Sequence, residues 1–376
     1  MMTEDRIQAV AKFGFTERQA RFLVTVMLFG GVCVPRQYAH LAGTAYGHKV
    51  NAFFDKLVQR KYATASRCIH NRARLYHVQH RPLYEAIGER RSRYRLPVPA
   101  ARAIGRVMRL DSVLCYPELR WLATKREKVA FCTATVPSLA GEKVPHTTIG
   151  AGAKRRVRLF PHDLPIGLDA TNRPVFLYLV TGSFDDDFRA VLQRYGDLLG
   201  ALPRWTVRLL FPRQLGGGMG PYQVAFRNEL ATPLSPTILD ELRWYFAQLR
   251  LAVTNRTRLP ADARFRRDQR VFAAPRFRVL YQRWMTDGEA AFDVVTSRAI
   301  IDALADETGR VESEVLLIPY RHLSPLANRV RSVPQGVEER AARGAARSAH
   351  PQPLPVDSTE DISGCARDWY RLIGRV

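Results

Sequence analysis

TERQARFLVTVMLFGG (16–31), VPRQYAHLAG (34–43), AYGHKVNAFFDKLVQRKY (45–62) and ATASRCIHNRARLYHVQHRPLY (63–84) decide the fold. Thr16 followed by Gln19 spells a capping box, in which the hydroxyl takes an orphan backbone N–H and the glutamine reaches back. Ala20, Leu23, Val24, Met27 and Leu28 then recur at helical spacing until Gly30 and Gly31 close the helix. Pro35 opens a short second helix with Tyr38, Leu41 and Ala42 inward, stopped by Gly43. A third helix is expected from about Tyr46 to Lys61, burying Val50, Phe53, Phe54, Leu57 and Val58. Two β-like runs follow, 62–69 and 74–78, joined by a turn at His70, Asn71, Arg72 and Ala73. Three helices and a two-stranded ribbon in that order predict a winged helix-turn-helix.

The polar residues of that unit suit DNA. Arg36 stands at the second helix, and Tyr46, His48, Lys49 and Asn51 occupy the first turns of the third, where side chains reach base edges in a major groove. Arg67, His70, Asn71, Arg72 and Arg74 fall on the ribbon with almost no acid beside them, as a backbone- or minor-groove-contacting wing requires. The plainer alternatives are a small domain with a solvated basic face, or a winged helix used against protein. Fold pattern and charge agree independently on double-stranded DNA.

The whole chain supports a polyanionic partner. Its 376 residues carry 58 Lys and Arg against 35 Asp and Glu, a net charge of +23, and arginine forks suit phosphate and guanine edges. No run of 18 apolar residues could span a bilayer, and the acidic start MMTEDRIQ does not read as a signal peptide. No membrane partner is therefore expected, and the location reads as cytoplasmic, nucleoid- or plasmid-associated. Five scattered cysteines never in CxxC spacing read as reduced structural thiols. Cys68, His70, His77 and His80 crowd the ribbon, but their spacing fits no zinc pattern. No metal or other cofactor is expected.

Around this unit, residues 1–15 read as a leading helix with Ile7, Val10, Ala11 and Phe13 inward. Residues 1–90 form the first domain, and 99–114 are an amphipathic helix within a linker of residues 91–114. Residues 115–220 are expected to form an α/β domain, beginning with a short helix and a strand at 128–132. Strands at 156–160, 164–168 and 175–180 follow, then a helix opened by Ser183 and Asp185, Asp186 and Asp187, and a strand at 205–211. The glycines at 216–218 lack a phosphate-loop ending and read as a flexible connection. A further α/β section over 221–330 is expected: a helix at 236–253, a basic loop at RLPADARFRRDQR (258–270), a strand at 277–284, a helix at 297–305 and a strand at 314–319. From about residue 331 to 364 the composition cannot bury enough surface to order itself. The last twelve residues, CARDWYRLIGRV, regain Trp369, Tyr370, Leu372 and Ile373, which read as a docking helix for a protein partner.

The segments ARFLVTVMLFGG and FFDKLVQRKYA, the hairpin LFPHDLPIGLDATNRPVFLYLVT and the pair DDDFRAVLQRYGDLLGALPRWTVRLLF resemble the replication-relaxation proteins of plasmids and integrative elements. That resemblance covers about the first 210 residues and implies a winged helix followed by a restriction-endonuclease-like fold. It implies a metal-dependent nuclease only if the acids are present. Asp163 and Asp169 could supply one acid, and Glu118 or Glu127 a helical one. The strand that should carry the second reads FLYLVT (176–181), with neither carboxylate nor lysine.

The sequence thus predicts an α+β multidomain protein whose winged helix precedes a nuclease-like domain with a degenerate site. The expected role is non-catalytic, sequence-specific DNA binding in a bacterial mobile element, with replication, transfer, recombination or transcription partners recruited through the second half and the tail. A nuclease with an unorthodox acid set, and a transcription regulator with a ligand or dimerisation domain, are the alternatives.

Overall fold

The computed structural model describes residues 3–67, 74–137, 144–149, 156–160, 164–181, 185–318 (save 256, 258 and 261) and 320. The expectations for Cys68, His70, Asn71, Arg72, Asp163 and Ser183, for residues 331–364, and for Trp369, Tyr370, Leu372 and Ile373 lie outside them. The described chain is mixed α and β, mostly helical, with small sheets.

Helix α1 (Thr3–Ala11) leads into α2 (Glu17–Phe29), strand β1 (Val32–Cys33), α3 (Pro35–Ala42), α4 (His48–Gln59), strands β2 (Ala63–Arg67) and β3 (Arg74–Val78) and the short α5 (Arg81–Ala86). Thr16 Oγ1 accepts from the Gln19 amide while the Gln19 side chain accepts from the Thr16 amide, as the capping box predicts. α2 buries eight of its thirteen residues, because α1, α3 and a later helix all pack on it. At roughly 1.5–3 kcal/mol per buried large apolar side chain, this helix is the hydrophobic centre of the first ninety residues. Val50, Phe53, Phe54 and Leu57 face inward from α4, but Val58 stays 39% exposed, one position beyond the buried stripe. Strand β1 was not foreseen. It is two residues long, pairs antiparallel with β3, and makes a three-stranded sheet of order β1-β3-β2. Gly31, at φ +69, permits the turn into it; a Cβ there would lie 2.3 Å from the Tyr94 carbonyl oxygen.

α6 (Ala100–Leu114) is the helix expected over 99–114, and it serves both halves of the described chain. It packs on α2, α3 and β1, and also on the second sheet. That sheet contains β4 (Arg120–Trp121), β7 (Ile166–Leu168), β8 (Pro174–Leu179), β9 (Trp205–Pro212) and β10 (Gly309–Leu316), in the order β10-β9-β8-β7-β4. β7 pairs antiparallel with both β4 and β8, and β9 pairs parallel with both β8 and β10. A separate ribbon pairs β5 (His146–Ile149) with β6 (Arg156–Leu159). The 156–160 strand therefore forms, but in this ribbon; the meander begins at β4.

The connection from β8 to β9 is α8 (Asp186–Ala201), as expected. β8 is apolar on both faces because Phe176 and Tyr178 pack toward α8 while Val175 and Leu177 meet Leu119, Leu210 and Leu316. Six helices separate β9 from β10: α9 (Met219–Leu230), α10 (Pro236–Asn255), α11 (Ala263–Val271), α12 (Pro275–Asp287), α13 (Ala291–Thr296) and α14 (Ala299–Ala305).

Five expectations are corrected here. The strand at 128–132 is part of α7 (Lys125–Thr135), whose capping box joins Thr124 to Glu127; the TKRE spelling announced it. The strand at 277–284 is α12, started by Pro275 and burying Arg276, Val279, Leu280, Arg283 and Trp284 at helical spacing. The basic loop is largely α11, capped by Asp262, whose carboxylate accepts from the Phe265 amide at 2.7 Å. The triple glycine forms a 3-10 turn over 213–218 that runs into α9. The last strand starts at Gly309 rather than 314, since Gly309 lets the backbone approach the Trp205 ring, 2.4 Å from where a Cβ would stand.

Candidate nucleic-acid interface

α4 presents its polar face beside the β2–β3 hairpin. Tyr46, His48, Lys49 and Asn51 are all exposed, with Tyr46 at 62%. The inward anchors Val50, Phe53, Phe54 and Leu57 fix the helix rotation, so positions 48, 51, 52 and 55 point outward together. Asp55 belongs to this face although the sequence reading passed over it; i, i+4 spacing from Asn51 would have found it. Lys56 and Arg60, at the far end of α4, bond backbone carbonyls of the turn before α2, Lys56 that of Gly14 and Arg60 that of Phe13.

On the hairpin, Arg67 and Arg74 stand directly opposite one another and are both exposed. Like charges placed so repel, and an anion between or above them would relieve the repulsion. Arg74 lies against the Tyr76 hydroxyl, with Asp55 and Tyr46 close enough to act on it. Burial pushes that hydroxyl above its ordinary range, and Arg74 pulls it back. α4 and the hairpin meet where Phe54 packs on Tyr76, at 4.4 Å between ring centres.

Arg36 goes elsewhere. Its two terminal nitrogens donate to the two oxygens of buried Asp111 on α6, at 2.7 and 2.6 Å. Tyr320 Oη donates to the same carboxylate at 2.8 Å, and its ring lies under the Arg36 guanidinium at 5.5 Å. Burial disfavours the Arg36 charge, but Asp111 outweighs it and raises the guanidinium's affinity for its proton. Next to it, Gln37 is fully buried, donating to the Val107 carbonyl and accepting from the Val34 amide at 2.9 Å each. α3 is therefore fastened to α6 by polar side chains, and Arg36 is a joint between elements rather than an open cation.

His77 and His80, candidates for a metal with Cys68 and His70, have local roles. The His77 ring nitrogen Nε2 is 2.9 Å from the Tyr94 carbonyl, and burial pushes its pKa down. The His80 ring lies tilted against Tyr62 at 4.8 Å between ring centres, and burial lowers its pKa also. Cys33 and Cys132 are buried free thiols and Cys115 is exposed; burial moves Cys132 up to about 11. No group of three His, Cys, Asp or Glu side chains comes together to hold a metal ion among the described residues.

Of the acids considered for a nuclease, Asp169 and Glu127 are occupied by local partners. Asp169 Oδ1 accepts from the Thr171 amide and hydroxyl at 2.8 Å and from the Arg173 amide at 2.9 Å, fastening the β7–β8 turn. Burial opposes its ionisation, but these donors hold the carboxyl below its ordinary range. Glu127 caps α7 and pairs with Arg6 at 2.8 Å. Glu118 is exposed. Asp185 pairs with Arg189 and Asp186 with Arg278. A cavity of about 770 Å³ lies between α8, α12, α13 and α14, with Arg194, Asp197, Arg283 and Asp287 in its wall. These four groups already bond one another or nearby carbonyls.

No protein-family model, no curated protein and no solved structure matches the chain.

Proposed function

We propose that this protein binds duplex DNA through a winged helix-turn-helix formed by α2, α3, α4 and the β2–β3 hairpin. The observation that carries the reading is the sheet order β1-β3-β2, with β1 between the first and second helices and the hairpin after the third. That connectivity sets α4 and the hairpin side by side, so one can enter a major groove while the other meets the backbone or a minor groove. Tyr46, His48, Lys49, Asn51 and Asp55 are the base-reading set: lysine donates to guanine, asparagine pairs with adenine, and an aspartate accepts from cytosine. Arg67 and Arg74 are the backbone set.

In this reading the second sheet is a scaffold. The elements α6, β4, β7, β8, α8 and β9, with α7 and the β5–β6 ribbon inserted after β4, support comparison with the helix, three-strand, helix, strand plan of a restriction-endonuclease-like core, which the resemblance to replication-relaxation proteins implies. Leu179 and Thr181 stand where the carboxylate and its companion would be needed, and Asp169 holds a turn. We therefore assign no hydrolytic step to it. The role is positional: DNA held by the N-terminal unit, and proteins of a mobile element's replication, transfer, recombination or transcription complex recruited by the rest.

Titration of a short duplex with the full chain at several salt concentrations tests this. The Arg67→Ala/Arg74→Ala double variant should flatten the plot of log K against log salt by about two, at roughly 0.9 per phosphate released. Lys49→Ala should instead alter which sequences are preferred. Duplex binding that ignores salt and both changes would end the proposal.

A further inference from the structure

We propose that α11 carries a second nucleic-acid contact, to the phosphate backbone, made by Arg264, Arg266 and Arg270. All three are exposed, and no carboxylate pairs with any of them among the described residues. Several exposed arginines elsewhere are neutralised locally: Arg21 by Glu17, Arg81 by Glu85, Arg243 by Asp240 and Glu289. On α11 the one arginine so treated is Arg267, held by Asp268 and Glu241.

The helix is built to hold its cations outward. Phe265, Asp268 and Phe272 form its inner stripe, with Phe265 and Phe272 against Tyr245 of α10 at 5.3 and 5.6 Å between ring centres. Asp262 caps its start. With that face fixed, Arg266 and Arg270 fall on the opposite side, one turn apart. Like charges at that spacing repel in the free helix, and Arg270 Nε turns back to the Arg266 carbonyl at 3.3 Å. Arg264 lies over the Trp244 ring at 3.9 Å. Stacking fixes the plane of the guanidinium and leaves its edge to donate in pairs, the geometry that fits a phosphate. Arg266 and Arg270 lie about 6 Å apart along the axis at 1.5 Å per residue, and Arg264, on the flank against Trp244, extends the basic surface toward α10.

This contact is independent of α4 and the hairpin, and the experiment keeps the two apart. Four full-length proteins are compared on one mixed-sequence duplex over a salt series: wild type, Lys49→Ala/Arg74→Ala, Arg264→Gln/Arg266→Gln/Arg270→Gln, and all five changes together. Thermal melting of each checks folding. A charge-matched control, Arg21→Gln/Arg81→Gln/Arg243→Gln, removes paired arginines. The α11 triple should flatten the salt slope by about two to three and weaken binding at least tenfold at 0.1 M salt, the control should change neither, and the five-fold variant should lose both contributions. An α11 triple with the wild-type slope, or a control that loses as much, overturns the inference. If only the α11 triple matters and Lys49→Ala/Arg74→Ala binds as wild type, the α11 contact stands and the recognition-helix reading falls.

Discussion

Replacing Arg189 by methionine should cost the protein about 3–5 kcal/mol at neutral pH, the range for breaking a buried ion pair from one side. Arg189 on α8 is 7% exposed and donates to Glu229 of α9, whose side chain is wholly buried, at 2.7 Å. Gln193 donates to the other Glu229 oxygen at 2.7 Å, but a neutral amide cannot replace a charge. Burial already raises the Glu229 pKa, and Arg189 and Gln193 hold it back. Without Arg189 the carboxyl rises further above its unfolded value. A raised folded-state pKa gives stability that is present below the unfolded pKa and lost as pH rises through the folded one. The deficit against wild type should therefore be widest above neutrality and shrink toward pH 5. Adding Glu229→Leu should restore at least half of the loss, because the orphaned charge is gone; Gln193 then lacks that acceptor, which limits recovery. Urea unfolding followed by fluorescence reads the effect, since Trp205 is fully buried beside Phe226. A loss below about 1 kcal/mol, or one that does not vary with pH, would refute the reasoning.

Gly31→Ala should destabilise by at least about 2 kcal/mol, through positive φ and overlap with the Tyr94 carbonyl; thermal melting of the variant reads this. Gly309→Ala should cost about 1–3 kcal/mol by driving a methyl into the Trp205 ring, seen as a lower urea midpoint with an altered tryptophan spectrum. His77 and His80 both have pKa values lowered by burial, so their contribution is complete above the ordinary histidine pKa and lost as pH falls through the lowered values. Melting of wild type should drop between pH 7 and 5 more steeply than that of His77→Gln/His80→Gln.

Much of the first ninety residues was legible because each device there is local. The Thr16 capping box, Pro35 at a helix start and the Val50, Phe53, Phe54, Leu57 stripe each need only a few neighbouring residues to be recognised. β1 was not legible: two residues carry no periodicity, and their pairing with Tyr76 and His77 is a long-range fact. The run 277–284 misled because arginines at inward positions hide a helical stripe; Arg276 and Arg283 are buried by bonding Thr232 and Gln193 carbonyls, partners far away in sequence. α11 was missed because a basic composition suggested a loop, whereas Phe265, Asp268 and Phe272 carry its true period. On the candidate interface, the exposure of Tyr46, His48, Lys49, Asn51, Arg67 and Arg74 followed from the helix and strand periods. Arg36 did not, since its fate depends on Asp111, seventy-five residues on.

Sequence-specific reading of duplex DNA by α4 is the central claim, and selection of bound duplexes from a random pool tests it most directly. The full-length protein should enrich one motif of a few base pairs, and Lys49→Ala should lose or change the preferred base at one position while still retaining DNA through its arginines. Enrichment of no motif, or of the same motif unaltered by Lys49→Ala, Asn51→Ala and Asp55→Ala alike, would contradict it.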